Sequence, residues 1–209
     1  RSHAGSTRGE LCPDRAPRGP VNRLGVTPRG IRLNTCKGVS RYLLGSVSEK
    51  VVRLSSVPVL TVRIQPDERL TFPYERIPVP TDGSPAATYA ATHLLELAAA
   101  LDATVYALSV VDETTFGPDV RSTVSGTERE RAATDAVEAV VSQAKTHGGV
   151  STVSHVEHGS PVEAILERIE SNDIHAVGMG ARGRRGTDRI LLGSVAEKTV
   201  RSAPVPVVT

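Results

Sequence analysis

Aromatic side chains are scarce in this sequence. None of its 209 residues is tryptophan, and aromatic residues make up only 3% of the chain. The basic N-terminal stretch therefore lacks the interleaved aromatic residues of many nucleic-acid-binding surfaces, and no known nucleic-acid-binding motif is present. We do not expect this protein to bind nucleic acid directly.

Long apolar runs and functional cysteine spacings are also missing. No stretch approaches the roughly 18 consecutive apolar residues of a membrane-spanning helix, and the first residues lack the apolar core of a secretory signal. We therefore expect no membrane partner and a cytoplasmic location. The two cysteines, Cys12 and Cys36, match no metal-binding or redox spacing, and we assign them no role.

Charge is distributed unevenly along the chain. Residues 1–64 contain 12 lysine or arginine and 3 aspartate or glutamate side chains, whereas residues 65–209 contain 13 and 20. The formal charges of the two parts are therefore about +9 and −7, although the whole chain carries +2. This difference indicates that the chain is not one homogeneous domain.

One stretch of sequence occurs twice. Residues 37–61 align without a gap with residues 185–209, and 15 of the 25 aligned positions are identical. Shared helix propensity would not produce identity at this level, so we interpret the two stretches as copies of one unit. The first copy corresponds to the end of a loop, a last helix and a last strand.

These patterns divide the chain into four parts. Residues 1–36 are rich in arginine, proline and glycine without apolar periodicity, which predicts disorder, and our hypothesis for their origin is an out-of-frame or recombined segment. Residues 37–64 are interpreted as the remnant of a first domain, residues 65–75 as a linker, and residues 76–209 as a complete domain.

The complete domain alternates strands and helices. Strands are predicted at residues 76–81, 104–111, 151–156, 174–179 and 205–208, separated by helices of which the first covers residues 85–101. This order predicts an α/β fold, with a doubly wound, five-stranded parallel sheet and helices on both faces. Pro78 fits this scheme poorly, because a proline removes a hydrogen bond from the ladder of a central strand.

Helical spacing also predicts which side chains face the core. The first helix is expected to bury the stripe Tyr89, Ala90, His93, Leu94, Leu97, Ala98 and Leu101, and the second Ala132, Ala136, Val140 and Ala144.

Ligands of such sheets bind beyond the carboxyl ends of the strands. Those ends lead here into Thr81-Asp82-Gly83-Ser84, into residues 109–113 and into the loop of residues 180–193. The last loop is rich in glycine and arginine and runs into a helix N-terminus. Backbone N–H groups and the helix dipole favour an anion such as phosphate at that position.

The spacing of this loop, Gly180-x2-Gly183-x9-Gly193-Ser194, is similar to the nucleotide-binding signature of the universal stress protein family. The segments 80–84 and 110–113 resemble that family's first two strand ends. The resemblance covers residues 74–209 as one domain and residues 37–64 as a remnant. It implies a flavodoxin-like fold of the adenine nucleotide α-hydrolase type that binds ATP, pairs through its last strand and acts in stress response.

The resemblance also implies roles for individual residues. Asp82 would lie near the ribose, and Val110 would contact adenine. The triphosphate would be surrounded by Gly180, Gly183, Gly193 and Ser194. The site would be completed by Thr81, Arg184 and Val195. A Mg²⁺ or Mn²⁺ ion would be held through the phosphates, because the sequence shows no dedicated carboxylate cluster.

Several of these assignments have a purely structural alternative. Ser194 and Glu197 match the S-x-x-E capping box, so Ser194 could cap its own helix. Asp82 could be a turn residue, and Arg184 could belong to a solvated basic loop. Met179 is expected in the core, whereas His155 and His158 are expected at the surface and not as metal ligands.

Three functions remain open. We favour a nucleotide-binding stress-response module over an adenine-nucleotide hydrolase or transferase, because no catalytic base, Walker-type lysine or paired carboxylate is visible. A degraded paralogue that no longer binds nucleotide is the third. The expected partner is a second copy at the last strand, or the chain's own residues 57–62 lying antiparallel to residues 205–208 as a pseudo-dimer.

Overall fold

In the computed structural model of this chain, the described residues are 50–52, 54–55, 57–63, 69–112, 126–181 and 192–209. The predicted disordered segment, residues 1–36, lies outside them. Residues 50–52 and 54 are helical. Six strands and four further helices follow among the described residues: β1 Leu60–Thr61, β2 Arg76–Pro80, α1 Pro85–Leu101, β3 Thr104–Val111, α2 Gly126–Thr146, β4 Thr152–His158, α3 Pro161–Ser171, β5 Val177–Gly178, α4 Ser194–Ser202 and β6 Val207–Val208. The predicted bounds of α1 and β3 are confirmed to the residue, whereas β5 and β6 are shorter than predicted.

The strands form two three-stranded sheets, in the orders β2-β3-β4 and β1-β6-β5. All pairings between strands of the complete domain are parallel, and β1 alone pairs antiparallel among the described strands. The α/β class and the parallel arrangement are therefore confirmed. The prediction of a single five-stranded sheet is not, because β2 and β5 form no continuous ladder in the described residues.

The prolines of β2 contribute to the missing ladder. The Glu75 carbonyl accepts a hydrogen bond from the Thr104 N–H at 2.8 Å, and the Thr81 N–H donates to the Leu108 carbonyl at 2.8 Å. Since successive residues of a strand turn their backbone groups to opposite sides, the odd-numbered residues of this segment face β3.

The even-numbered residues of β2 face β5. The Arg76 carbonyl accepts a hydrogen bond from the His175 N–H at 3.1 Å. Pro78 and Pro80 have the same parity as Arg76, so the N–H groups that proline lacks fall on the side of β5. Pro78 therefore leaves the pairing with β3 intact and weakens the contact with β5.

Side chains tie β5 to β2 where backbone hydrogen bonds are few. Arg76 forms an ion pair with Asp173, and its Nε donates to the Asp173 carbonyl at 2.9 Å. The buried His175 accepts a hydrogen bond from the Glu75 N–H at its Nδ1, at 3.0 Å. These contacts fix the start of β5 beside the start of β2.

The helices pack in two apolar clusters. The first joins α1 and α2 to Val105 and Ala107 of β3, and the second joins α3 and α4 to Leu108 of the same strand. Since consecutive strand residues point to opposite faces, the two clusters lie on opposite faces of β3. The prediction for Met179 is confirmed, because its side chain is buried in the second cluster.

The predicted stripe of α1 is partly wrong. Tyr89 is exposed and packs edge-on against His93, with ring centroids 4.7 Å apart. The buried residues are Ala87, Ala91, Leu94, Leu95 and Ala98. In α2, Ala133 and Val137 are buried, whereas Ala132 is only half-buried. The predictions for Leu94 and Ala98 of α1 are confirmed, as are those for Ala136, Val140 and Ala144 of α2. The other positions differ because alanine-rich helices leave the stripe poorly defined in sequence.

The antiparallel pairing predicted between residues 57–62 and 205–208 is present. Leu60 lies opposite Val208 in the register of β1 and β6. The N–H groups of Val59 and Thr209 each donate to the other residue's carbonyl, at 2.8 and 3.0 Å. One edge of β6 is therefore covered from within the chain.

Candidate functional site

The turn after β2 lies at the carboxyl edge of the parallel strands. Thr81 is buried, and its hydroxyl accepts a hydrogen bond from the Gly83 N–H at 3.2 Å. Gly83 has a φ of 73°, a conformation that glycine adopts at little cost. The turn therefore holds Thr81 at the end of β2 and directs the chain into α1.

Asp82 takes part in the same turn. Its Oδ1 accepts a hydrogen bond from the Ser84 N–H at 3.0 Å, which is the Asx arrangement of a turn residue. The structural alternative predicted for Asp82 is thus present. Its proposed place near a ribose stays a prediction.

Ser84 caps α1. Its side chain is buried, and the hydroxyl accepts a hydrogen bond from the Ala87 N–H at 3.2 Å, with Pro85 following at the first helical position. An N-cap serine followed by proline is a strong helix start. The turn and the helix are therefore positioned together.

Val110 lies one residue before the end of β3. It is half-buried and packs against the cluster that contains α3 and α4. This position puts its backbone at the carboxyl edge beside the turn of residues 81–84. Its predicted contact with adenine is not tested by these contacts.

The stem of the glycine-rich loop is closed by a backbone hydrogen bond. The Gly193 N–H donates to the Ala181 carbonyl at 2.8 Å, so the chain returns to the end of β5 before entering α4. Gly180 is half-buried beside this contact. The bond brings both ends of the loop to the carboxyl edge of β5.

The predicted capping box at Ser194 is wrong. The N-cap of α4 is Gly193, which has no side chain to cap the helix, and Ser194 is the first helical residue. The Glu197 N–H donates to the Gly193 carbonyl at 2.8 Å, and the Glu197 side chain pairs with Arg201 at 2.5 Å. The hydroxyl of the exposed Ser194 therefore lies in the first turn without the capping role that its sequence indicated.

Val195 follows in the same first turn. It is half-buried and packs against the cluster of α3 and α4. The predicted site residues Gly183 and Arg184 lie outside the described residues, as do the neighbouring arginines of the loop. Their predicted roles stay predictions.

Sequence reasoning missed Gly178 of β5. A Cβ at this position would lie 2.2 Å from Cδ2 of Leu94 and 2.9 Å from its Cγ. Leu94 is itself buried in the first cluster, so it has little room to move. Gly178 therefore allows α1 to pack directly on the strand that leads into the loop. The only signal in the sequence was a glycine beside Met179 in a short apolar run.

Strand β4, at the edge of the sheet β2-β3-β4, carries a second set of polar side chains. His155 of β4 stacks with Tyr106 of β3 at 6.3 Å between ring centroids, while Glu157 forms an ion pair with Arg168 of α3. Burial, and then the positive charge of Arg168, lower the pKa of His155 below its ordinary value. His155 is half-buried, in contrast to the surface position predicted, whereas His158 is exposed as predicted.

The described residues contain neither a metal-ligand cluster nor a membrane-spanning helix. No group of three or more histidine, cysteine, aspartate or glutamate side chains is placed to hold a metal ion in the part of the chain that the structure describes. No helix in that part combines the length and the apolar character required to cross a membrane.

The geometry defines a class of protein. It is an α/β domain with parallel strands, in which the turn after the first strand of the domain and the two described ends of the glycine-rich loop, Ala181 and Gly193, lie at the carboxyl edge.

Comparison with known proteins identifies the family within this class. The profile of the universal stress protein family matches residues 73–209. A universal stress protein of Methanocaldococcus jannaschii is 36% identical over 138 residues, which cover 64% of this chain and 80% of that protein. The universal stress protein UspA from Lactobacillus plantarum superposes with a TM-score of 0.56 at 25% identity, covering 64% of this chain and 95% of that chain. The chain belongs to the universal stress protein family, whose members act in stress response.

A longer relative matches more of the chain. A universal stress protein of Mycolicibacterium smegmatis is 30% identical over 171 residues, which cover 81% of this chain but only 56% of that protein. This alignment is longer than the span of residues 73–209, so it includes part of the chain that precedes the family domain.

Proposed function

We propose that this chain is a cytoplasmic stress-response module that binds ATP at the carboxyl edge of its parallel strands. The observation that carries the proposal is the closed stem of the glycine-rich loop. The hydrogen bond from Gly193 to Ala181 directs the loop back to the N-terminus of α4, where Gly193 provides no capping side chain. The N–H groups of this first turn and the helix dipole favour a phosphate there.

The remaining site residues fit a nucleotide in their chemistry. Thr81 and Asp82 provide a hydroxyl and a carboxylate in a rigid turn, which suits the hydroxyl groups of a ribose. Val110 and Val195 provide apolar surface for a base. Gly180, Gly183 and Arg184 complete the proposed phosphate site, with Mg²⁺ or Mn²⁺ held through the phosphates. ATP when bound would supply the triphosphate whose charge this helix end stabilises.

Nucleotide content of the purified protein tests the proposal. The chain is purified without added nucleotide and denatured, and any released adenine nucleotide is identified by chromatography and then titrated back. We expect close to one ATP per chain, since the glycines Gly180 and Gly183 occur only in the second copy of the repeat. An empty protein that ignores added ATP would favour the degraded paralogue, and steady release of ADP would favour the hydrolase.

A charge at Ser194 separates ligand binding from helix stability. Ser194→Asp places a carboxylate in the first turn of α4, where it favours the helix but repels a triphosphate. We expect the affinity for ATP to fall by about tenfold or more, with the unfolding midpoint unchanged or raised. Ser194→Asn is the matched control, because it places a side chain of similar size at the same position without the negative charge. Gly193→Val is a second, harsher variant.

We also propose that residues 37–64 are a partial copy of the last helix and strand, and that they form an intramolecular pseudo-dimer. The alignment of the two copies makes Leu60 equivalent to Val208, and these two residues face each other in the sheet. The seam is therefore centred on equivalent residues, which is the register of a two-fold symmetric pairing. The equivalent helix ends agree as well. Ser55 donates to the Val51 carbonyl at 3.0 Å, and Ala203 donates to the Thr199 carbonyl at 2.8 Å.

A further inference from the structure

The outer edge of β1 is equivalent, by the alignment of the two copies, to the edge of β6 that pairs with β5. In the complete copy, β6 pairs with β1 on one side and with the parallel strand β5 on the other. The N–H groups of Val177 and Met179 donate to the carbonyls of Pro206 and Val208, at 2.8 and 2.9 Å. By the alignment of the two copies, the equivalent acceptors are the carbonyls of Pro58 and Leu60.

These equivalent groups point away from β6. Val59 and Thr61 occupy the hydrogen-bonded positions opposite β6, so Leu60 lies at a non-hydrogen-bonded position with its N–H and carbonyl turned outward. Within the described residues, no backbone partner is present for either group of Leu60. The outer edge of β1 is therefore an open strand edge.

Two apolar side chains at the open edge of β1 are exposed, whereas their equivalents in the complete copy are buried. Val57 is 67% exposed and its equivalent Val205 is 1% exposed, while Leu60 is 49% exposed and its equivalent Val208 is 7% exposed. Val205 is buried in the cluster that contains Ile165 and Val177, which belong to α3 and β5. Among the described residues, no helix and parallel strand of this type cover the first copy.

We propose that the outer edge of β1 is a docking site for a separate polypeptide with the chemistry of the α3–β5 unit. The incoming strand pairs parallel to β1, donates backbone N–H groups to the carbonyls of Pro58 and Leu60, and accepts a hydrogen bond from the Leu60 N–H. Its apolar side chains cover Val57 and Leu60. The inference rests on the partial-copy interpretation and not on nucleotide binding, so the two can fail independently.

A synthetic peptide with the sequence of residues 161–181 is the probe, and the full chain is the receptor. Amide hydrogen exchange is measured by NMR with and without the peptide. In the chain alone, we expect slow exchange at Thr61, which pairs with Val207, and fast exchange at Leu60. The peptide should slow exchange at Leu60 by about tenfold or more and leave Thr61 unchanged.

Two variants identify the edge that binds. Leu60→Pro removes an outward N–H while leaving the hydrogen bonds to β6, so peptide affinity should fall about tenfold without a change in the unfolding midpoint. A peptide with Val177→Pro, which also lacks one donor, should bind about tenfold more weakly as well. Val153→Asp, on the exposed strand β4, is the matched control and should leave binding unchanged.

Several results would overturn the proposal. These are protection of the Leu60 amide before the peptide is added, binding that persists in Leu60→Pro, loss of binding in Val153→Asp, and the absence of binding at millimolar peptide. Association of the chain with itself, abolished by Leu60→Pro, would assign the edge to a second copy instead and equally contradict the proposal.

Discussion

The two copies of the repeat share 15 of 25 aligned residues and have different surroundings. Val200 and Val205 of the complete copy are buried against α3 and β5, whereas in the first copy Val52 is buried and Val57 is largely exposed. Identity of sequence carries over the local structure, since both copies end a helix and enter a strand. Burial is carried over from Val200 to Val52 but not from Val205 to Val57, because it depends on the elements that pack against each copy. The comparison shows that burial in the complete domain depends on packing between elements that are distant in sequence.

The largest expected effect comes from removing the first copy. Deleting residues 1–64 uncovers the edge of β6 that now pairs with β1. We expect the shortened chain to dimerise through that edge, doubling its mass in light scattering, because an exposed strand edge pairs readily with its own copy. An unchanged monomeric mass would contradict the pseudo-dimer.

The next effect separates the two copies at one equivalent position. Val205→Ala should lower the free energy of unfolding by about 2 kcal/mol, since it removes two buried methyl groups from the core. Val57→Ala is the matched control and should change it by no more than about 0.5 kcal/mol, because Val57 is exposed. Urea unfolding measures both. Equal costs would show that Val57 is covered in solution.

A similar loss is expected at the contact between α1 and β5, for which the described part of the first copy has no counterpart. Gly178→Ala forces a methyl group against Leu94 and should cost about 1–3 kcal/mol. The double variant with Leu94→Ala should show less than the sum of the single losses, since the shorter side chain makes room. Strict additivity in urea unfolding would mean that the strain is not at Leu94.

A smaller effect is expected at the start of α1. Ser84→Ala removes the oxygen that accepts from the Ala87 N–H and should cost about 1 kcal/mol. Ser194→Ala is the control, because Ser194 is not the cap of its helix, and it should be nearly neutral in thermal unfolding. Equal destabilisation of the two variants would restore a capping role to Ser194.

The smallest effect is a dependence on pH that belongs to the complete domain alone. Burial and Arg168 lower the pKa of His155, so the unfolded chain binds this proton more readily than the folded one. Above the ordinary pKa of histidine, His155 is neutral in both states and the full stability of the folded chain is present. As the pH falls from there through the lowered pKa of the folded state, protonation of the unfolded chain reduces that stability. We expect His155→Gln to reduce the fall in the urea midpoint between pH 7.5 and pH 5, with or without residues 1–64. A fall of the same size in the variant would exclude His155 as its source.

Much of the fold could be predicted because local patterns determine it. The bounds of α1 follow from Ser84, Pro85 and a helical run, and those of β3 follow from an apolar strand. The site was harder, because glycine spacing indicates a loop but not the partner of each residue. Ser194 illustrates this limit, since the same S-x-x-E pattern fits a cap at Ser194 or a helix that starts there, and only the backbone of Gly193 decides between them.

By itself the sequence determined the alternation of strands and helices, the repeat, and the family to which the chain belongs, because all three are recorded in local spacing and residue identity. Tertiary structure decided the rest. Pro78 and Pro80 remove hydrogen bonds on the side of β2 that faces β5, and only the neighbours of each strand reveal which side that is. Equally, the difference between Val57 and Val205 exists only once the chain is folded, since burial is a property of the elements packed around a residue.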